Sequence, residues 1–262
     1  MNRWRTLSVL VFLSLLLIAC QPATPAETPA GETQATGPEA GGTPSLPLEG
    51  QPPLSKDISL DPANAEDEDS WLVNSYLYEG LVRLDGETAV PALALSWMVS
   101  DDGLDYIFYL RPGVVFHDGT PFNADAVLAN FNRWFDPSDP LRGTGAYSGW
   151  KSVFLGFKGE LQEDDSPVSP FDGIEKVDEL TVLIHLNRPA PYFLASLAQP
   201  YFAMVSPTAL ANAGDSYGVR GGQVAGTGPY SVGEWSDTRL TLQPNASYWG
   251  EVPVTGLEFP LE

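Results

Sequence analysis

The stretch from Leu54 to Glu262 predicts an α/β fold, and three observations carry that expectation. Residues 106–110 are an uninterrupted apolar and aromatic run, as in a strand buried on both faces or lying against a neighbouring domain. Behind Asn123, the residues Val127, Leu128, Phe131 and Phe135 recur at helical spacing. In residues 181–186, Val182, Ile184 and Leu186 alternate with Leu183 and His185, the period of a strand with two different faces.

Taken in order, the elements have readable causes. Residues 58–60 read as a short strand, followed by a turn at Asp61-Pro62-Ala63-Asn64. A helix over 70–78 is expected from Trp71, Leu72, Ser75 and Tyr78, with Asp67 to Asp69 near its positive end and Gly80 stopping it. Arg111-Pro112-Gly113 ends the aromatic strand, Val114-Val115-Phe116 resumes extended chain, and His117-Asp118-Gly119-Thr120-Pro121 supplies a reversal. Asn123 then caps a helix whose first turn carries Asp125. Residues 154–172 read as an irregular, acidic surface insertion. A short helix is expected around 192–197, and 230–235 with 239–243 form a hairpin turning through Ser236 to Thr238.

The first 53 residues are different in kind. Arg3 and Arg5 precede a twelve-residue, mainly apolar stretch at 7–18, too short for a membrane span, which needs about 20 apolar residues. Leu17-Ile18-Ala19-Cys20 has lipobox form, so residues 1–20 read as a lipoprotein signal peptide with Cys20 as the lipidated residue. Cys20 is the only cysteine, which excludes an intramolecular disulfide and a thiolate-ligated metal. Residues 21–53, rich in Pro, Thr, Gly, Ala and Glu and lacking Lys and Arg, cannot bury enough to offset ordering and read as a disordered tether. A tether of that length lets a domain roam about 30 Å from its anchor.

Charge narrows the partners. The chain has 13 Lys and Arg against 34 Asp and Glu; without the leader the formal charge is −23. Nucleic acid and anionic lipid surfaces are poor partners for such a surface. The 209 residues from Leu54 onward suffice for a real core.

Several blocks of wording recur in a known family. They are Leu60-Asp61-Pro62-Ala63, Tyr78-Glu79-Gly80-Leu81-Val82, Pro91-Ala92-Leu93-Ala94 with Ser96-Trp97, Leu110-Arg111-Pro112-Gly113-Val114, Phe116 to Phe122, Gly226-Thr227-Gly228-Pro229-Tyr230 through Trp235, and Asn245 to Gly250. In this order the chain resembles the extracellular solute-binding proteins of peptide, nickel and related ABC importers, of family 5 type. The resemblance implies a periplasmic-binding-protein-like, two-lobed fold with mixed sheets. Residues 54–90 and 201–262 would build the first lobe, and 91–200 an inserted subdomain. The second lobe would be missing from this sequence, the residues around Gly256-Leu257-Glu258-Phe259 leading toward it.

Function follows as an expectation of that resemblance. The chain would be a monomeric substrate-binding lipoprotein on the outer face of the cytoplasmic membrane. It would capture peptides or related small solutes and hand them to an ABC permease. Such proteins close two lobes over a ligand. The turn Asn64, Ala65, Glu66 and Asp67 would edge the cleft; the competing reading makes Glu66, Asp67 and Asp69 mere caps and solvated charges of the next helix.

Catalytic, metal and cofactor chemistry find no constellation. His117-Asp118 is an adjacent pair in a turn and His185 sits mid-strand, neither with metal-ligand spacing. Asp61 to Asp69 lacks the spacing and glycine of a calcium loop. Gly226-Thr227-Gly228-Pro229 lacks the Lys and Ser or Thr of a phosphate loop. Asn245-Ala246-Ser247 matches a glycosylation sequon, and the scattered tryptophans read as core. The alternatives to transport are an envelope scaffold built on one lobe and a secreted hydrolase that uses the many carboxylates.

Overall fold

In the computed structural model of the chain, the structure describes the backbone of Ser45–Pro47 and residues 50–262. The leader with Cys20 and most of the tether lie outside the described residues.

Two four-stranded sheets organise the protein. In the first, β1 (Ser45–Pro47), β8 (Tyr230–Trp235), β9 (Arg239–Pro244) and β10 (Gly256–Pro260) lie in the order β1-β10-β9-β8. The second contains β4 (Ala94–Val99), β5 (Asp105–Leu110), β6 (Phe171–Asp178) and β7 (Thr181–Leu186) in the order β4-β5-β7-β6. Only the first sheet is mixed: β1 runs parallel to β10, whereas every pair in the second is antiparallel. A hairpin of β2 (Val82–Asp85) and β3 (Thr88–Pro91) joins the two regions.

Among the described residues there are five α-helices: α1 (Glu68–Leu77), α2 (Ala124–Phe135), α3 (Ser148–Phe154), α4 (Phe193–Ser196) and α5 (Pro207–Ala213). The capping residues behave as their chemistry predicts. Asp67 accepts from Ser70 N at 2.8 Å, and Asn123 accepts from Ala126 N at 3.1 Å. α2 lays Val127, Phe131 and Trp134 into an aromatic core with Trp150, Phe154, Phe171 and Phe202. Phe131 stacks on Phe171 with centroids 5.7 Å apart, and Trp150 meets Phe154 at 4.3 Å. Each buried large side chain contributes about 1.5–3 kcal/mol of transfer energy. A second cluster under the first sheet gathers Leu54, Val73, Leu77, Leu240, Leu242 and Phe259.

Several expectations need correction. β5 is buried on one face only: Phe108 is fully buried while Tyr109 is 37% exposed, because no described element covers the outer side of that sheet. Residues 58–60 bury Ile58 and Leu60 without joining a ladder; Leu60 N donates to Gly218 O at 2.7 Å instead. Around Val115 only an isolated bridge to Pro121 forms. The expected irregular segment is irregular and largely exposed over residues 155–170; only its ends belong to regular elements, with Phe154 closing α3 and Phe171 opening β6, each 1% exposed. The tether read to Pro53 is also too long. Ser45 to Pro47 pair with Gly256 to Glu258, giving the edge strand β10 the hydrogen-bonding neighbour it otherwise lacks on that side.

Candidate functional site

The turn after Asp61 is held by an ion pair and several side-chain hydrogen bonds. Asp61 caps a 3-10 turn at Pro62–Asn64, accepting from Ala63 N at 3.3 Å and from Asn64 Nδ2 at 2.8 Å. Arg133 reaches across from α2 to ion-pair with the same carboxylate, both side chains being buried. Removing one partner of such a pair strands a charge in low dielectric and typically costs about 3–5 kcal/mol.

The four expected ligand residues divide between roles. Asn64 Oδ1 accepts from Tyr147 N at 3.3 Å, just before α3. Ala65 is buried, and its carbonyl accepts from Trp71 Nε1 at 3.0 Å. Glu66 is exposed and accepts from Ser148 Oγ at 2.7 Å, while Asp67 is the exposed cap of α1. Asn64 and Glu66 therefore bind the turn to the start of α3. Contact there is close: a Cβ on Gly145 would lie 2.0 Å from Asn64 Oδ1. Tyr147 adopts a left-handed conformation, φ 54°, which costs a non-glycine residue about 1–2 kcal/mol. Its buried side chain compensates, donating from the hydroxyl to Arg142 O.

A second polar centre links distant segments, and sequence reasoning missed it. Glu79, between α1 and β2, accepts from Thr227 Oγ1 at 2.9 Å, Tyr248 OH at 3.1 Å and Trp249 Nε1 at 2.9 Å. Arg111 packs 3.8 Å from the centroid of the Trp249 ring. Burial pushes the Glu79 carboxyl above its ordinary value, against the opposing pull of those donors. The signal was present as Tyr78-Glu79-Gly80, Gly226 to Tyr230 and Tyr248-Trp249, but nothing in the sequence joined them.

His117 clamps the same loop. Its Nδ1 accepts from Gly226 N at 3.2 Å, which leaves Nε2 to donate to Gly228 O at 3.1 Å, so the ring is neutral with the proton on Nε2. Burial lowers its pKa, outweighing the help that Gly228 O and Asp118 give the cation. The glycines are there for close approach: a Cβ on Gly226 would sit 2.1 Å from Leu77 O. Asn245, the residue of the sequon, is 8% exposed and donates to Gly228 O at 3.0 Å, so its amide is structural. His185 pairs with Asp105 at 2.7 Å on the half-covered sheet face. Among the described residues no group of three or more His, Cys, Asp or Glu is placed to hold a metal ion.

The arrangement offers hydrogen-bonding and charge on rigid supports rather than a nucleophile with its base. Comparison with known proteins points the same way. The family model for bacterial extracellular solute-binding proteins, family 5 (middle region), matches residues 88–259. The chain belongs to this family. The glutathione-binding proteins GsiB of Shigella flexneri and of Escherichia coli strain K12 are each 37% identical to it over 193 residues, 73% of this chain. The chain spans about a third of their length, 33%.

Solved family 5 relatives share the architecture. The ABC transporter-associated periplasmic binding protein DppA from Helicobacter pylori, in complex with the peptide STSA, matches with TM-score 0.65 and 26% identity, covering 84% of this chain and 41% of its own. HbpA2 from Haemophilus parasuis matches with TM-score 0.67 and 28% identity, over 80% of this chain and 42% of its own. Among the described residues no helix is long and apolar enough to cross a membrane.

Proposed function

We propose that the protein is the substrate-binding lipoprotein of an ABC importer, capturing extracellular peptides or related small solutes for a membrane permease, and that it is not an enzyme. The observation that carries this reading is the 37% identity over 193 residues to glutathione-binding proteins, glutathione being itself a small peptide. Residues 54–90 and 201–262 form part of the first lobe, with 91–200 as its inserted subdomain. Asn64, Ala65, Glu66 and Asp67 line the cleft edge, where the ties to Tyr147 and Ser148 hold the turn ready for a ligand at little further cost in ordering. Lipidation at Cys20 holds the protein, as a monomer, to the outer face of the cytoplasmic membrane.

Calorimetry on the intact protein with glutathione and a di- to tetrapeptide series tests the ligand class. Saturable binding is expected, and Cys20→Ser should move the protein from the membrane to the soluble fraction. The absence of heat with every peptide would remove the peptide reading.

A further inference from the structure

His117 holds the segment 226–228 by three bonds. Its backbone N donates to Gly226 O at 2.8 Å, its ring Nδ1 accepts from Gly226 N at 3.2 Å, and its Nε2 donates to Gly228 O at 3.1 Å. The held segment in turn lies tight against the end of α1. Gly228 N donates to Leu77 O at 3.0 Å, and a Cβ on Gly228 would sit 2.6 Å from Tyr76 O.

The bond at Nδ1 exists only while the ring is neutral. An imidazolium carries N–H on both nitrogens, so a proton on Nδ1 would face the Gly226 N–H, donor against donor. Gly226 is buried and its N–H has no other acceptor among the described residues, which makes the loss of this bond costly. The ring is nevertheless within reach of water. It is half-buried and lines a cavity of about 460 Å³ between the 117–120 turn, α5 and the hairpin of β8 and β9.

Few charges act on it there. Among the described residues lining the cavity only His117 and Asp118 titrate, and Asp118 favours the cation. α5 and residues 221–229 contain no charged side chain, and Glu234 of β8 is paired with Arg239 at 2.6 Å. Glu79 touches the held segment at Thr227, not the ring.

We propose that His117 is an acid-sensitive latch: on taking a proton at Nδ1 the ring loses Gly226 N and frees the 226–228 segment from the turn, loosening its seat on the end of α1. Burial holds the ring's pKa below its usual 6.5, against the help that Gly228 O and Asp118 give the cation. The latch's contribution to stability is therefore fully present above pH 6.5 and is lost as pH falls through the lowered folded value. It works through residues of this chain alone, whatever solute the protein takes.

The test follows the intact protein by NMR from pH 8 to 4.5, reading the His117 ring and the exchange protection of backbone amides, corrected for the intrinsic rate at each pH. His185 is the only other histidine, and His185→Gln assigns the two ring signals. Protection at Gly226 should fall about tenfold through the midpoint at which His117 titrates, while the amides of β5 and β7 stay protected. Asp118→Asn removes an exposed charge that favours the cation, and should move both midpoints down together by about half a pH unit. Glu79→Gln should leave the fall at Gly226 in place. A ring that stays neutral until the whole protein unfolds, protection that is flat while the ring titrates, midpoints that part in Asp118→Asn, or a fall abolished by Glu79→Gln would overturn the proposal.

Discussion

At the scale of single residues, Glu79 shows how burial and hydrogen bonding compete. Its partners Thr227, Tyr248 and Trp249 lie 148, 169 and 170 positions away, so no local pattern could announce the cluster. The residues legible beforehand were those whose partners are near in sequence: Asn123 bonds three residues on, as a cap must. The ionisation of Glu79 gives a measurable consequence. Burial raises its folded pKa above the ordinary 4.5, so the folded state holds that proton more tightly than the unfolded chain does. Its contribution to stability is fully present below pH 4.5 and is lost as pH rises through the raised folded value. Comparing urea midpoints of wild type and Glu79→Gln across pH 4 to 7, the wild type should gain on the variant as pH falls through that window. A difference that stays flat would mean that Glu79 titrates alike in both states.

At the scale of elements, legibility follows the strength of the local pattern. α2 was readable because a cap, an acidic first turn and helically spaced apolar residues coincide. α3 was not, since Ser148-Gly149-Trp150 opens it without a side-chain cap and it is held from outside by the Asp61 turn. β6 was hidden by Asp172, Gly173, Glu175, Lys176 and Asp178, polar residues tolerated because most of that edge strand faces water. The same reasoning explains why the candidate turn was legible only as a loop: the Asp61 bonds within it are local, but its ties to Arg133 of α2 and to Tyr147 before α3 are not. Gly145 is the contact that sets this packing, and its substitution isolates the effect. Gly145→Ala would drive a methyl into Asn64, forcing the turn away from Tyr147. A loss of about 1–3 kcal/mol is expected, the usual range for overpacking, together with faster amide exchange at Tyr147. Unchanged stability and exchange would show that the turn is not fixed by this contact.

At the scale of the whole molecule, composition spoke about charge and the resemblance about architecture, and the two meet in how the fold tolerates its acidity. The α/β arrangement and the family were legible from wording spread over most of the described chain. The separate strand inventories of the two sheets were not, because β1 and β6 carry almost no apolar signal of their own. Against a net charge of −21, the ion pairs among the described residues are mostly exposed, such as Lys158 with Asp136 and Arg220 with Asp237. Lys158 and the Ser138 groups hold the Asp136 carboxyl down to about 2, yet pairs with one or both partners in water contribute only about 0–1 kcal/mol. Repulsion among the unpaired carboxylates should therefore outweigh them. Since salt screens both, raising NaCl from about 10 to 300 mM, where the Debye length falls from roughly 30 Å to below 8 Å, should remove more repulsion than attraction. Tm is expected to rise by about 2–4 °C, the shift that ~1 kcal/mol produces in a domain of this size. Differential scanning calorimetry over that series decides the balance, and a falling Tm would mean that the exposed pairs carry more of the stability than the surface repulsion takes away.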